Sequence, residues 1–175
     1  MSDLKIPLGL KRTAAMVVLR YQRSFLLLKR IKEPHIGKYV PVGGKLDPFE
    51  DPYSAALRET YEETGIAVQQ LKYGGVLIES SPTKYNWQCN IYMADIEWQV
   101  PPPCDEGTLE WISYKDIPNI PTPETDWQIY QYLMREQAFA LNAIYDKDLN
   151  LLSMVEEIEG KELITDLSQA KDFEN

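Results

Sequence analysis

The sequence is poor in the residues that build disulfide frameworks, zinc sites and membrane spans. It contains two cysteines and one histidine, and Cys89 and Cys104 have neither the spacing of metal ligands nor a partner pattern. We therefore expect two reduced thiols in a cytoplasmic protein. No apolar run approaches the roughly 20 residues that span a bilayer. The first residues lack an apolar signal core, and there is neither an internal repeat nor a low-complexity tract.

Positive charge is also scarce. Lysine and arginine number 18 against 27 acidic residues, which gives a net charge of -9. Such a chain lacks the basic face that binds a nucleic-acid backbone, so we expect no nucleic-acid partner. An acidic protein that binds an anionic substrate needs a metal ion between the two. What is present is an ordinary soluble composition, with 44% hydrophobic and 26% charged residues, in a length that suits one domain.

The most informative segment runs from residue 44 to residue 66. Three of its acids, Glu59, Glu62 and Glu63, stand at i, i+3 and i+4, which places them on one face of a helix. Carboxylates that close repel each other and require a compensating cation. A hard divalent metal ion, which prefers oxygen ligands, is the natural compensator.

The same segment carries the signals of a helix. Asp51 is a good N-cap, Pro52 suits the first helical position, and Gly65 can end the helix in a left-handed conformation. The spacing predicts that the glutamates share one side with Ala55, whose small side chain leaves room for an ion or a phosphate. The opposite side is then expected to carry Tyr53, Leu57, Thr60, Tyr61 and Thr64.

An acid-rich helix is usually amphipathic with a solvated acidic face, and three glutamates alone do not overturn that interpretation. The residues at fixed spacing around them favour another one, because together they resemble the signature of the Nudix hydrolases: Gly44, Glu50, Arg58, Glu59, Glu62, Glu63, Gly65 and Ile66. The one departure is Thr60, where the family prefers an aliphatic residue. The resemblance implies an α/β fold, the α/β/α sandwich with a mixed β-sheet and the motif helix packed on it. It covers about residues 10–157 of one domain spanning residues 1–175.

The resemblance also implies an activity, the hydrolysis of a nucleoside diphosphate linked to another group, with Mg²⁺ or Mn²⁺ as cofactor. Water attacks a phosphorus of the diphosphate bridge, and the barrier is mostly electrostatic. By position in the motif, Glu59, Glu62 and Glu63 are the implied metal ligands, and the backbone carbonyl of Gly43 completes the shell. Glu50 is expected to position metal-bound water or the loop before the helix.

Several charged residues are candidates for the remaining roles. The general base is either Glu59 or Glu106, and Glu106 lies in a loop that resembles the one supplying a distal metal ligand or base in MutT-type members. Arg58 either takes part in catalysis or holds the glutamates by an ion pair. Arg30 and Lys45 are candidate phosphate contacts, although a lone basic residue is usually solvated.

Three further titratable residues are interpreted as bystanders. Asp105 and Glu110 could be mistaken for Glu106, and both are expected to be surface charge. His35, the only histidine, lies in a polar loop and is interpreted as part of that loop rather than of a substrate lid.

Within the family, two features favour the MutT-type branch, which hydrolyses oxidised nucleoside triphosphates such as 8-oxo-dGTP. The motif begins with residues 43–45, Gly-Gly-Lys, as in those enzymes. The order of segments that follows also resembles these enzymes: Trp111, the Ile117-Pro118 step, an acidic stretch at residues 124–126, a short helix and a hairpin. In that branch, acids after the Ile-Pro step read the purine edge, and the matching candidates are Glu124 and Asp126. Asp126 has the alternative role of a helix cap.

Two residues favour other interpretations. Val40 stands where some of these enzymes place a base-reading asparagine, and a valine side chain forms no hydrogen bond. Pro82 follows the motif at a spacing that resembles the proline marker of ADP-ribose pyrophosphatases, although proline is also a common turn former. The alternatives are therefore an ADP-ribose or nucleotide-sugar pyrophosphatase and, further, a non-catalytic Nudix-like binding domain. The retained glutamates argue against the last.

The remaining patterns predict strands at Thr13–Arg20, Ser24–Arg30, Tyr39–Val42, Gly75–Ser80, Trp87–Trp98 and Leu109–Tyr114. A helix is expected from Glu124 to about Glu136. A hairpin of Phe139–Tyr145 and Leu151–Glu157 should follow, with a helix continued through Leu141 and Ile144 as the competing interpretation. Residues 159–175 are expected to form a loose acidic tail. The expected partner is a small nucleotide. A homodimer is compatible with the fold, although no interface is visible in the sequence.

Overall fold

The computed structural model describes residues 5–164, which form eleven β-strands and two α-helices. The helices are α1 (Pro52–Thr64) and α2 (Glu124–Met134), and a 3₁₀ turn lies at Ile117–Asn119. The strands are β1 (Arg12–Tyr21), β2 (Ser24–Arg30), β3 (Tyr39–Val40), β4 (Val42–Lys45), β5 (Lys72–Ser80), β6 (Trp87–Asp95), β7 (Pro103–Cys104), β8 (Gly107–Ser113), β9 (Phe139–Tyr145), β10 (Leu151–Glu156) and β11 (Lys161–Ile164).

The chain divides into two compact units. Unit 1 contains residues up to 13, residues 75–89 and residues from 139 onward, and unit 2 contains residues 14–74 and 90–138. The expectation of a single domain stays a prediction. No helix within residues 5–164 is both long enough and apolar enough to cross a bilayer.

The strands of unit 2 pair in a way that brings distant segments of the chain together. A two-residue turn joins β1 to β2 in an antiparallel hairpin, as the sequence predicts. β8 pairs along β2 with Leu26 opposite Trp111. β4 pairs with β1, with Met16 opposite Gly43, and β3 pairs with β2. The start of the motif on β4 is therefore anchored to the hairpin.

Strand β2 packs against both helices. Leu26 and Leu28 belong to the buried cluster that also contains Ala55 and Ala56 of α1. Phe25 points to the opposite face of the strand, and its ring lies 6.1 Å from that of Tyr130 on α2. Unit 2 thus has a helix on each face of its strands. The predicted Nudix-type architecture, a mixed sheet with the motif helix packed on it, is confirmed.

Helix α1 begins and ends where the sequence predicts, but its faces differ from the prediction. The Asp51 carboxylate accepts a hydrogen bond of 2.9 Å from the Ser54 N–H, and Gly65 ends the helix at a φ of 69°. Ala55 is fully buried rather than beside an open acidic face, whereas Tyr53 and Tyr61 are exposed. The reason is that α1 packs closely on β4, a strand with two glycines, and only small side chains fit there.

Two of the predicted strand properties also need correction. The strand from Trp87 ends at Asp95, so Trp98 lies outside it and is exposed. The two alternating sets of residues in β6 were expected to face a core and a surface. Instead, every residue from Cys89 to Ala94 is buried, because the strand is covered on both faces.

The strands of unit 1 include the parallel pairing of the sheet. β9 pairs in parallel with β5, with Gly75 opposite Phe139, and β10 pairs antiparallel with β9. The predicted C-terminal hairpin is therefore confirmed and the continued helix is wrong, because α2 ends at Met134 and Glu136 adopts a φ of 53°. β11 pairs with β10, so the expectation of a loose tail is wrong for Lys161–Ile164. Residues 165–175 lie outside the described residues.

Unit 1 contains a buried carboxylate, that of Glu79 on β5. Its oxygens accept hydrogen bonds from the hydroxyls of Tyr145 (2.8 Å) and Tyr85 (3.1 Å), and the Lys11 ammonium donates to the Glu79 carbonyl oxygen at 2.7 Å. Burial raises the pKa of Glu79, and the two tyrosine hydrogen bonds and the charge of Lys11 oppose that rise. Glu79 therefore binds a proton more readily in the folded chain than in the unfolded one.

This raised pKa predicts a pH dependence of stability. Glu79 contributes stability below its unfolded pKa, and the contribution is lost as pH rises through the higher folded pKa. Glu79→Gln removes the titration and keeps an oxygen for the tyrosine hydroxyls. Between pH of about 5 and about 8, we expect the variant to lose less free energy of unfolding than the parent in urea denaturation.

The matched control is Glu162→Gln, which changes an exposed glutamate of the same unit. Its pH profile should follow that of the parent protein. Parallel profiles for the parent and Glu79→Gln would contradict the assignment.

Candidate active site

The motif glutamates line a cavity of about 370 Å³ between α1 and the turn that joins β7 to β8. Its lining residues are Glu59, Glu62, Glu63, Pro103, Cys104, Asp105 and Glu106. The structure thus places the predicted distal residue, Glu106, in the same space as the three motif glutamates. Asp105 lines the cavity too, so its expected role as mere surface charge is incomplete.

The two glycines at the start of the motif let β4 approach the glutamates. A Cβ on Gly44 would lie 2.6 Å from the carboxylate of Glu59. A Cβ on Gly43 would collide with the backbone of Ala15 on β1, and the φ of Gly43 is 148°. The Gly43 N–H donates a hydrogen bond of 3.1 Å to the Glu63 carboxylate. A side chain at either position would occupy space that the carboxylates or β1 now fill.

Arg58 is the cation that holds the motif together. It donates two hydrogen bonds of 2.8 Å to Glu50, one of 2.8 Å to Glu59 and one of 3.2 Å to Glu62. It also donates to the backbone carbonyl of Lys45 at 3.1 Å. The hydrogen bonds from Arg58 lower the pKa of Glu50 to about 2, with a smaller contribution from the Asp47 N–H. These contacts agree with one of the two predicted roles of Arg58, that of holding the glutamates by an ion pair.

The pKa of the Glu63 carboxyl group is changed by its position in the cavity. Burial raises the pKa of Glu63 to about 7, and the negative charges of Glu59 and Glu106 raise it further, while the Gly43 N–H opposes the rise. The main cause of the raised pKa is thus removal of the Glu63 carboxylate from water, and the neighbouring acids add to it. A cation in the cavity would favour the charged form of Glu63 and lower its pKa.

The donors at this cavity fit a hard divalent metal ion. Glu59, Glu62, Glu63 and Glu106 offer carboxylate oxygens, the ligands that Mg²⁺ and Mn²⁺ prefer. Within residues 5–164, however, no three acidic, histidine or cysteine side chains already converge on one point. Two of the four glutamates are turned toward Arg58. Metal binding would therefore require these side chains to rotate away from Arg58.

Glu106 is balanced by two cations of its own. Its carboxylate lies 3.3 Å from the Lys32 ammonium and 3.6 Å from the Arg30 guanidinium. The sequence singled out Arg30 as a phosphate contact but missed Lys32. No periodicity or motif marks Lys32, because its position depends on the pairing of β2 with β8. Lys45 is exposed, and its carbonyl group is bound to Arg58.

The predicted base-reading acids are not among the residues that line the cavity. Both lie in the first turn of α2, where Glu124 is exposed and Asp126 is buried. The start of α2 is next to β3, since the Tyr39 N–H donates to the Pro121 carbonyl at 2.9 Å and the Tyr130 hydroxyl donates to the Tyr39 carbonyl at 3.0 Å. These two hydrogen bonds join β3, the strand that carries Val40, to the segment before α2 and to α2 itself.

Two other residues with open interpretations are placed by their contacts. Glu110 is not a free surface charge, because its carboxylate accepts a hydrogen bond of 2.6 Å from the Tyr39 hydroxyl. Burial and this hydrogen bond raise the pKa of Tyr39 to about 12. Pro82 lies in a turn closed by Ser81, whose hydroxyl accepts from the Thr83 N–H at 3.1 Å. That turn favours the structural interpretation of Pro82.

Comparison with known proteins identifies the family. Residues 9–133 match the family profile described as NUDIX domain. The chain belongs to the Nudix hydrolase family. This Nudix hydrolase is 30% identical to the Nudix hydrolase YvcI of Bacillus subtilis over 142 residues, which are 78% of this chain and 88% of the relative. It is therefore a pyrophosphohydrolase that acts on phosphorus anhydrides, in a family that generally uses divalent metal ions.

This Nudix chain is also similar to a second Bacillus subtilis protein and to a solved structure. Over 55 residues it is 49% identical to YtkD of Bacillus subtilis, whose provisional name is 8-oxo-dGTP diphosphatase, and the match covers 31% of this chain and 34% of the relative. The crystal structure of the mutator MutT protein from Bacillus halodurans superposes with a TM-score of 0.74 at 23% identity, covering 84% of this chain and 98% of that one. At that identity the likeness shows the fold.

The two glycines of the motif allow a paired test of the site. In Gly44→Ala the new methyl group meets only the end of the flexible Glu59 side chain, so the fold should be kept while Glu59 is displaced. We expect a melting temperature within a few degrees of the parent's, with Mn²⁺ affinity and turnover lowered by about tenfold or more.

Gly43→Ala should behave in the opposite way, because its methyl group meets the backbone of β1 and its φ disfavours alanine. We expect a loss of about 2 kcal/mol or more of unfolding free energy, measured by denaturation. Equal effects of the two substitutions on stability would contradict this description of β4.

Proposed function

We propose that this Nudix hydrolase converts a nucleoside triphosphate, including oxidised forms such as 8-oxo-dGTP, to the monophosphate and pyrophosphate with Mg²⁺. The observation that carries the proposal is the cavity in which Glu106 faces the motif glutamates, since this provides carboxylates on two sides of a polyphosphate. The choice of substrate class is supported by the identity with YtkD over 55 residues.

The lining of the cavity suits the phosphates of the substrate but not its base. The walls carry carboxylates, one thiol and one proline, but neither an aromatic ring to stack on a base nor an amide to read one. The cavity is therefore suited to the phosphates and the metal ion. The base needs another surface, and the start of α2 beside β3 offers Glu124 and Asp126 as hydrogen-bond acceptors.

The residues at the cavity account for the steps of hydrolysis. The bound metal ion supplies charge neutralisation along the phosphate bridge. A carboxylate accepts the proton of the attacking water while the new oxygen–phosphorus bond forms and the bridging oxygen–phosphorus bond breaks. Glu106 and Glu59 are the candidates for this base, and both line the cavity. Arg58 acts as a positioning residue, since its partners besides Glu59 are Glu50, Glu62 and a backbone carbonyl.

The proposal is tested by a hydrolysis panel of 8-oxo-dGTP, the common nucleoside triphosphates, ADP-ribose and nucleotide sugars with Mg²⁺, and products are identified by chromatography. We expect preferred conversion of a triphosphate to monophosphate and pyrophosphate. Glu62→Gln removes one expected metal ligand and should lower turnover at least about 100-fold, whereas Glu97→Gln, an exposed glutamate outside the cavity, should have no effect.

Other outcomes of the panel point elsewhere. Preferred turnover of ADP-ribose or a nucleotide sugar would overturn the substrate class and leave the metal site standing. Ligand binding without any turnover would favour a non-catalytic domain.

Base recognition is tested at the start of α2. Glu124→Gln changes an exposed side chain, so stability should be unchanged while the ratio of kcat/KM for 8-oxo-dGTP and dGTP shifts by about tenfold if this acid reads the base. Asp126→Asn changes a buried side chain and should lower the melting temperature as well. Unchanged ratios in both variants would place base recognition outside α2.

A further inference from the structure

We propose that Lys32 binds a phosphate group of the substrate and that, in the metal-free protein, it is held on Glu106. A metal ion that takes the Glu106 carboxylate would release Lys32 to the phosphate, so that metal and polyphosphate binding reinforce each other. The inference rests on the proposed function for its metal ion and its polyphosphate. It adds a residue that the motif does not contain.

Glu106 is held where two segments meet. The Ile31 N–H donates a hydrogen bond of 3.1 Å to the Glu106 carbonyl, which ties the turn between β7 and β8 to the end of β2. The Lys32 ammonium lies 3.3 Å from one carboxylate oxygen of Glu106, and the Arg30 guanidinium lies 3.6 Å from the other. A metal ion that binds Glu106 would therefore compete with Lys32 and Arg30 for the same carboxylate.

The two cations differ in their freedom to move. The Arg30 guanidinium donates to three backbone carbonyls, those of Pro34 at 2.7 Å and of Lys32 and Glu33 at 3.3 Å each. Its side chain is only 19% exposed, so Arg30 is committed to the shape of its loop. The Lys32 side chain is 54% exposed, and within residues 5–164 its ammonium pairs with Glu106 alone. Lys32 is therefore the cation that can be exchanged.

The charges around the cavity favour replacement of the Lys32 ammonium on Glu106 by a divalent cation. Glu59, Glu62 and Glu63 attract a divalent cation into the space that Glu106 also lines. Such a cation displaces an ammonium from Glu106 readily, because a partly exposed ion pair is weak. The freed ammonium, a flexible point charge, then meets the phosphate oxygens that the metal ion attracts. After the exchange, each charge again has a partner of opposite sign.

Thermodynamic linkage makes the coupling reciprocal. If metal binding frees Lys32 for a phosphate, then a phosphate that holds Lys32 leaves Glu106 available to the metal ion by the same factor. Lys32→Met should therefore have effects of opposite sign on the two ligands. It should tighten binding of a metal ion alone and weaken binding of a polyphosphate in the presence of that metal ion.

The test uses two probes on the full-length protein, Mn²⁺ alone and imidodiphosphate with saturating Mn²⁺, both measured by calorimetry. We expect Lys32→Met to tighten Mn²⁺ binding about two- to fivefold and to weaken imidodiphosphate binding by a similar factor, as expected for one partly exposed ion pair. Lys38→Met is the matched control, because Lys38 is an exposed lysine of the same loop and makes no ion pair with Glu106. It carries the same loss of charge and should shift both affinities less.

A second variant shows whether the effect passes through Glu106. In a Glu106→Gln background the ammonium has no carboxylate to hold it, so Lys32→Met should no longer tighten Mn²⁺ binding. The four proteins form a double-mutant cycle for Mn²⁺. A cycle that closes without an interaction between residues 32 and 106 would overturn the proposal.

Two results separate this inference from the proposed function. If the parent protein binds Mn²⁺, Glu62→Gln loses that binding and triphosphate is hydrolysed, but Lys32→Met matches Lys38→Met on both probes, only the role of Lys32 fails. If the parent protein neither binds Mn²⁺ nor turns over a nucleotide, the proposed function fails and the inference falls with it.

Discussion

Repulsion among carboxylates in one cavity is the constraint on which the site depends. Glu59, Glu62, Glu63 and Glu106 share a space of about 370 Å³. Burial, with a further contribution from the charges of Glu59 and Glu106, raises the pKa of Glu63 to about 7. The fold tolerates this arrangement because each group of acids has a cation fixed beside it. Without such cations, so many like charges would favour the unfolded chain.

The cation of the motif also fixes its geometry. Arg58 contacts Glu50 through two short hydrogen bonds, so its guanidinium plane is set by the loop before α1 rather than by the glutamates that it balances. A bidentate pair of this kind is stronger and more directional than a single contact. Glu59, as a candidate metal ligand, could therefore leave Arg58 for a metal ion while Arg58 stays in place on Glu50. This arrangement would let the candidate metal ligands move without disturbing the helix that carries them.

Features that depend on neighbouring residues in the chain were predictable from the sequence. Features that depend on contacts between distant segments were not. The ends of α1 were predictable because Asp51 and Gly65 act within their own turn of the chain. The buried face of α1 was not, because the choice between Ala55 and Tyr53 depends on how closely β4 approaches, and that is a property of another segment. The contact of Lys32 with Glu106 was not predictable for the same reason, since it depends on the pairing of β2 with β8. The motif itself gave the metal-binding candidates because its spacing is local to one helix.

The acidity of the whole chain bears on the order of events at the site. A chain with a net charge of -9 and a cavity lined by carboxylates repels a free polyphosphate before any contact is made. A nucleotide that arrives already complexed to a metal ion carries less negative charge and brings the cation that the glutamates lack. Both partners then lose repulsion in the same step, because one ion neutralises the phosphate chain and the carboxylates together. We therefore expect the metal–nucleotide complex, rather than the free nucleotide, to be the species that enters the cavity, and a free nucleotide in excess over metal to bind poorly.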